Sequence, residues 1–398
     1  MSGTTMQIEV GWVQAGRLDG VDAAALRRAR ERVRERLAGL FDSFDWRMPV
    51  TRRRGEAVEA RGDATVELLD LGVAERDLHR WDVALVFTDD DLTAYAKPFA
   101  IAAPSRALSV AVISTARLDP DAVGETDEAT RVDVLARRLE ALVLHLLGHL
   151  LDVPHSDEPG DFMYDVKHVA DLDRMKGYGL VAAEVLAREL LEVGDDRLEE
   201  EDRQLARRPV RFYLRAVTLN YDDVWRAVLR IKPWQFPLRL SRLTTAAIST
   251  LFVLMMTAEA WDLGMAQPGW RVWLLSLATL AGASAYIVRR QNLIVRRGRG
   301  LSEQRAVGNT AIVLAVTLGM LTTYALLFVV VLGVGATFYP AGLVETWAAS
   351  VDAGRIGPAH YLALAGFVAA LGIVIGSLGA SFESQTYFRH VALVDEET

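Results

Sequence analysis

His145-Leu146-Leu147-Gly148-His149-Leu150-Leu151-Asp152-Val153-Pro154-His155 places three imidazoles at i, i+4 and i+10, and Met163 follows eight residues later. Residues at i and i+4 lie on one face of a helix, so His145 and His149 can hold one ion together. His155 comes after the expected helix end, where a sharp turn would bring it back as a third ligand. Three neutral imidazoles with a fourth coordination position left open is an arrangement that suits zinc. A lone His on an apolar helix is ordinarily a hydrogen-bonded core residue. Here two of them interrupt Ala141 to Leu151, which is otherwise apolar apart from Gly148, and burying both without strong partners would be costly. The spacing therefore points to Zn2+ held by His145, His149 and His155, and points less sharply to a reaction.

The same stretch resembles the metzincin signature H-E-x-x-H-x-x-G-x-x-H with its downstream Met-turn, Met163 standing at the Met-turn position, and it is most similar to the archaemetzincin branch. Phe87-Thr-Asp-Asp-Asp-Leu92 resembles the I-T-D-x-D-L stretch of that branch, and Val110-Ala-Val-Ile-Ser-Thr-Ala-Arg-Leu118 resembles its V-A-V-V-S-x-A-R-L edge strand. The likeness covers roughly residues 5 to 190. It implies an α/β (α+β) zinc-peptidase domain. Four departures qualify it. Leu146 stands where the family has its catalytic Glu, and Asp152 stands where it has Gly. The chain has no Cys, so the cysteine-bound second zinc of archaemetzincins has no ligands here. Tyr164 directly follows Met163, whereas the ligand Tyr of some metzincins sits one residue further on.

Around the motif, the composition is divided. The chain of 398 residues is 51% apolar and 24% charged, with charge concentrated before residue 242 and apolar runs after it. This gives a metzincin-like zinc-binding domain over 1–200, a basic and aromatic linker over 201–242, a membrane region over 243–380 and a tail over 381–398. The net charge of −8 argues against a nucleic-acid partner, because a phosphate backbone needs clustered cations. Met1 to Gln14 has no basic start followed by a long apolar core, so no secretory signal is expected there. Within the first domain, Ile8, Val10 and Trp12 alternate as in a half-buried strand, and so do Phe44, Trp46 and Met48. Leu26, Val33, Leu37 and Leu40 have helical spacing with Asp22 as the expected cap. Val83 to Phe87 and Leu108 to Ser114 read as strands, and a long helix is expected from about Thr130 to Leu151.

Four apolar runs, about 243–262, 270–288, 309–336 and 360–380, each reach the ~20 residues that span a bilayer core. None carries a charge near its middle, since Glu259 and Arg271 lie near ends. The expectation is an all-α polytopic membrane domain of four transmembrane helices in a lipid bilayer. Nine Arg or Lys lie between Leu205 and Arg242, and Arg289, Arg290, Arg296, Arg297, Arg299 and Arg305 follow the second run, whereas the loop after the third has only Arg355. Basic loops face the cytoplasm, which places the metal domain and, with an even number of spans, the tail on that side. Val210 to Leu240 mixes Arg with Phe212, Tyr213, Trp225, Trp234 and Phe236. It reads either as an interfacial helix on anionic lipid or as an amphipathic helix packed on the first domain. Gly372-Ile-Val-Ile-Gly376 is a G-x-x-x-G suited to close helix packing, in a homo-oligomer among other settings.

Leu146 decides the expected chemistry. The resemblance implies that a Glu at this position would act as general base, an effect worth roughly 10²–10⁴-fold. Zinc can still polarise a carbonyl without it, so hydrolysis is expected to be impaired or absent rather than forbidden. Asp152, Asp157, Glu158 and Asp161 are candidate substitute carboxylates. Asp152 is also placed to support an imidazole, and can adopt the left-handed turn that Gly would supply, at some cost. His168 is a weaker candidate proton donor, while His79 and His390 read as surface residues. Three functions fit: a zinc-binding pseudopeptidase acting on a peptide or protein at the cytoplasmic membrane face, an active tethered metallopeptidase using another base, and a channel or transporter regulated by a metal-binding domain. The absence of charge within the runs weighs against the last.

Overall fold

A computed structural model describes residues 6–53, 64–95, 97–120, 127–194, 209–294, 303–352, 356–382 and 385–398. The linker residues 201–208 and the loop residues Arg296, Arg297, Arg299 and Arg355 lie outside them. The chain divides into two compact units. The first is Met1–Tyr221 with Val295–Gly308 and Leu393–Thr398, and the second is Asp222–Ile294 with Asn309–Ala392.

The first unit is built on a six-stranded sheet in the order β2-β1-β4-β6-β5, with β3 pairing β1 off this path. The strands are β1 Met6–Ala15, β2 Phe44–Arg47, β3 Val50–Arg53, β4 Val83–Thr88, β5 Ala102–Ser105 and β6 Val110–Ser114. All pairings are parallel except β5 with β6. Every residue of β4 and β6 is buried, as expected of central parallel strands covered by helices. Ile8, Val10 and Trp12 are buried on β1 as their alternation indicates, and Trp12 stacks on Phe87 with ring centroids 4.6 Å apart. The helices are α1 Gly20–Leu40, α2 Ala64–His79, α3 Glu128–Leu150, α4 Val169–Leu172 and α5 Leu180–Val193. The cap of α1 is Asp19 rather than Asp22. Asp22 N–H donates to the Asp19 carboxylate at 2.7 Å, and the Asp22 side chain completes a capping box. Leu108 belongs to a 3-10 turn before β6 instead of to the strand.

Two segments distant in sequence join this unit, although the reading above assigned them to a loop and a tail. Specific polar bonds hold the first: Arg305 pairs with the buried Asp77 at 2.8 Å, and Gln304 donates to the Asp82 carbonyl at 3.1 Å. In the second, Asp395 and Thr398 bond to the backbone of β5 and the residue before it.

Three helices, two within the second unit and one entering it from Glu303, are long and apolar enough to cross a membrane: Gly269–Arg290, Glu303–Thr337 and Pro358–Gly379. The first expected span, 243–262, is not one helix. It is broken into Ser241–Met255 and Ala258–Ala266, and becomes a fourth crossing only if Ser241–Met255 is joined through a 51° bend to the helices of Tyr221–Arg239. The break leaves the Met255 carbonyl without a helical partner. Trp261 Nε1–H donates to it at 3.0 Å and the Tyr339 hydroxyl at 2.9 Å, which satisfies a group that cannot be left bare in an apolar setting. The linker is likewise not one amphipathic helix. It comprises Pro209–Leu219, Tyr221–Ile231, a 3-10 turn at Pro233–Gln235 and Phe236–Arg239, because Pro233 and Pro237 lack the N–H a helix interior needs. Gly372 and Gly376 do serve close packing, but inside the chain. A Cβ on Gly376 would lie 3.1 Å from Ala247 Cβ and 3.2 Å from the Leu243 carbonyl, so a helix of the same molecule packs closely against this glycine. His390, expected at the surface, is buried at 4% exposure.

Candidate metal centre

Asp127 caps the start of α3 by accepting the Thr130 N–H at 3.1 Å. The last turns of α3 are buried almost throughout, and His145 and His149 share one face there, both buried. The helix stops because Asp152 turns left-handed, with φ +63°. Val153 N–H then donates back to the Gly148 carbonyl at 2.9 Å, a closure typical of a left-handed helix end. The cost of that conformation for a residue with a Cβ is offset in part by the Asp152 carboxylate meeting the Arg106 guanidinium at 2.6 Å. The reversal carries His155 back over the helix.

The three imidazoles converge. His145 Nε2 lies 3.0 Å from His149 Nε2, which lies 3.1 Å from His155 Nε2. His145 Nδ1–H donates to the Phe162 carbonyl at 2.7 Å, which fixes the tautomer and turns the Nε2 lone pair inward. Burial pushes the His145 pKa down to about 4, against the opposing pull of the Phe162 carbonyl, which favours the neutral ring that a metal would need. Three imidazole nitrogens within about 3 Å of their neighbours form a compact nitrogen donor set open to a cation. The donor set fits a tetrahedral N-ligated ion with one position free.

Met163 forms the floor. A side chain at Gly148 would collide with its thioether, so the glycine between the two helical ligands is a packing requirement. Met163 is fully buried. Its N–H donates to Asp161 Oδ1 at 2.9 Å and its carbonyl accepts from Ser156 N–H at 2.8 Å, which ties the floor to the residue after His155. Tyr178 donates its hydroxyl to the Leu144 carbonyl of α3 at 2.6 Å, and burial pushes its pKa upward.

The other candidates fall in different places. Leu146 is fully buried, at 0% exposure, among apolar side chains. Asp157 and Glu158 are exposed. Asp161 is buried and accepts the Met163 and Gly179 N–H groups, the latter at 3.1 Å, which is a structural duty. His168 is exposed at the start of α4. Two carboxylates that the sequence did not single out do reach the centre: Asp165 and Glu396 each place an oxygen within 4.8 Å of a His155 nitrogen and of one another. Asp165, two residues past the Met-turn, was open to inspection as a neighbour of the motif. No local signal marks Glu396.

No protein-family model matches the chain, and no curated protein does so. Among solved structures it is similar to an archaemetzincin from Methanopyrus kandleri, at 20% identity over 48% of this chain and 99% of that one, with a TM-score of 0.37. It is also similar to a zinc-dependent peptidase from Methanocorpusculum labreanum, at 20% identity over 44% and 99%, with a TM-score of 0.34. An archaemetzincin from Archaeoglobus fulgidus complexed with malonate matches at 18% identity over 45% and 99%, with a TM-score of 0.32.

Proposed function

We propose that this chain is a membrane-anchored, zinc-binding, metzincin-like protein whose classical peptidase activity is impaired or absent. The observation that carries the reading is the convergence of three imidazole nitrogens at 3.0 and 3.1 Å beside an apolar Leu146. When bound, zinc would supply Lewis-acid polarisation of a carbonyl oxygen. The chain's own residues do the rest. His145, His149 and His155 hold the ion, the Phe162 carbonyl orients the first ring, and Met163 closes the site from below. No carboxylate occupies the position after His145, so a proton-accepting group for hydrolysis is lacking where the resemblance would place one.

Three helices of spanning length and apolar character support anchoring in a bilayer, and the basic residues flanking them favour a cytoplasmic metal domain. A peptide or protein at that membrane face is the partner class this reading assigns.

The test is metal analysis of the purified full chain in detergent with a general peptidase assay. About one zinc per chain and little hydrolysis are expected, with zinc lost by at least 10²-fold in affinity in His149→Ala, since that change removes a ligand outright. Stoichiometric zinc in His149→Ala would overturn the metal assignment. Efficient cleavage by the unaltered protein would overturn the impairment and favour an active peptidase with another base.

A further inference from the structure

The outer edge of β5 is occupied by the chain itself. Ile101 and Ala102 N–H donate to the Thr398 carbonyl at 2.7 and 3.3 Å, Thr398 N–H donates to the Ala102 carbonyl at 3.0 Å, and Asp395 N–H donates to the Pro104 carbonyl at 3.0 Å. Asp395–Thr398 thus lies antiparallel against the outer edge of β5 through these main-chain bonds, a way for a sheet edge to hold a peptide. Its acidic side chains fasten it. Asp395 accepts the Arg106 N–H at 2.5 Å, and the Glu397 carboxylate accepts the Tyr95 and Lys97 N–H groups at 2.7 and 2.9 Å while only 7% exposed. Side chains alternate along an extended strand, so Glu396 points the other way from these two. That direction is the metal centre. Glu396 Oε2 lies 3.9 Å from His155 Nε2, and the Arg106–Asp152 pair ties the end of β5 to the turn between His149 and His155.

We propose that Asp395–Thr398 is an intramolecular plug on the β5 edge, and that its Glu396 supplies the fourth ligand to the ion held by His145, His149 and His155. The proposal rests on the metal reading above and adds to it a ligand and an occupied cleft. Two donors on one tetrahedral ion at 2.0–2.2 Å each sit about 3.4 Å apart, so the one-third-exposed Glu396 side chain, 3.9 Å from His155 Nε2 and grouped with His155 and Asp165, has to rotate inward toward His145 and His149 to complete the set. The arrangement gives the carboxylate missing at Leu146 a counterpart with a different role: it coordinates and occludes. An external peptide must displace the segment to reach the ion.

The experiment uses the full chain in detergent, loaded with zinc for affinity by chelator competition and with cobalt(II) for its visible spectrum. Amide exchange at Ile101 and Ala102 reports on the strand. Glu396→Gln is expected to weaken zinc by about 10-fold or more, at or above the range for losing a group that only orients a ligand, and to change the cobalt spectrum while both amides stay protected. The double variant Asp395→Ala/Glu397→Ala is expected to lose that protection and to show the same altered spectrum. An unchanged spectrum and affinity in Glu396→Gln, with His149→Ala metal-free, overturns this inference and leaves the metal reading standing. Metal retained by His149→Ala overturns the metal reading and this inference with it. Rapid exchange at Ile101 and Ala102 in the unaltered protein overturns the docked strand whatever the metal does.

Discussion

The two units differ in where many of their side chains find polar partners. In the first, bonds join residues far apart in sequence: Arg36 donates to Glu140 at 2.8 Å across 104 residues, and Glu397 holds Lys97 N–H across 300. In the second, hydroxyls turn back on their own helices, as with Thr250 to the Ala246 carbonyl, Thr317 to Val313, Thr323 to Gly319 and Thr337 to Gly333. Self-satisfaction within a helix is compatible with an apolar surrounding, where no water would be at hand to complete a bond. Long-range polar wiring suits a water-facing unit, where it can position a site. The difference teaches that the apolar helices satisfy many of their hydroxyls within one turn, while the surroundings of the metal centre are assembled from distant segments.

Four expected outcomes can break or sharpen this contrast. The largest is all or none and concerns whether the helical unit lies in a membrane. A reporter that works only in the cytoplasm should be active when fused after Arg299 and silent when fused after Ala353. The reverse pattern would place the metal domain on the far side. The next tests the centre's missing base. Leu146→Glu should raise hydrolysis of an unstructured peptide by roughly 10²-fold, toward the low end of a recovered general base. The gain is limited by the cost of a carboxylate in a fully buried position. A folded, zinc-loaded variant that stays inactive would show that Leu146 is not what limits the reaction.

The third concerns acid. His145 is buried neutral, with its pKa lowered from 6.5 to about 4. The unfolded chain therefore binds a proton there that the native one does not, over the window between those values. Stability of the metal-free protein should hold above pH 6.5 and decline by about 3 kcal/mol as pH falls toward 4, measured as exchange protection of α3 amides. A flat profile across that window would mean that His145 is charged or exposed. The smallest is Gly148→Ala. Its Cβ would strike Met163, and overpacking of this kind costs about 1–3 kcal/mol. An unchanged melting temperature would show that the Met163 floor is soft.

Much of this was legible in the sequence for a physical reason. The pair His145 and His149 follows from helical spacing, and β1, β4 and α3 follow from apolar periodicity, so local chemistry sufficed. The left-handed turn at Asp152 was legible too, because its place in the motif is where a Gly would supply that conformation. The first apolar run misled because its composition is continuous, while the break at Met256 and Thr257 depends on Trp261 and Tyr339 arriving to cap the Met255 carbonyl. The Gly372 and Gly376 pattern signalled close packing correctly without naming the partner, since a small residue records only that something approaches.

By itself, the sequence determined the presence of a three-imidazole site, its lack of a neighbouring carboxylate base, and the apolar character of the later helices. All of these are properties of residue type and spacing along one element. Only the tertiary structure decided that Phe162 orients His145, that Met163 underlies Gly148, that Arg106 reaches Asp152 and that Glu396 stands beside His155. Each of these joins residues whose separation along the chain carries no periodic signal, so nothing short of the folded backbone could bring them into register.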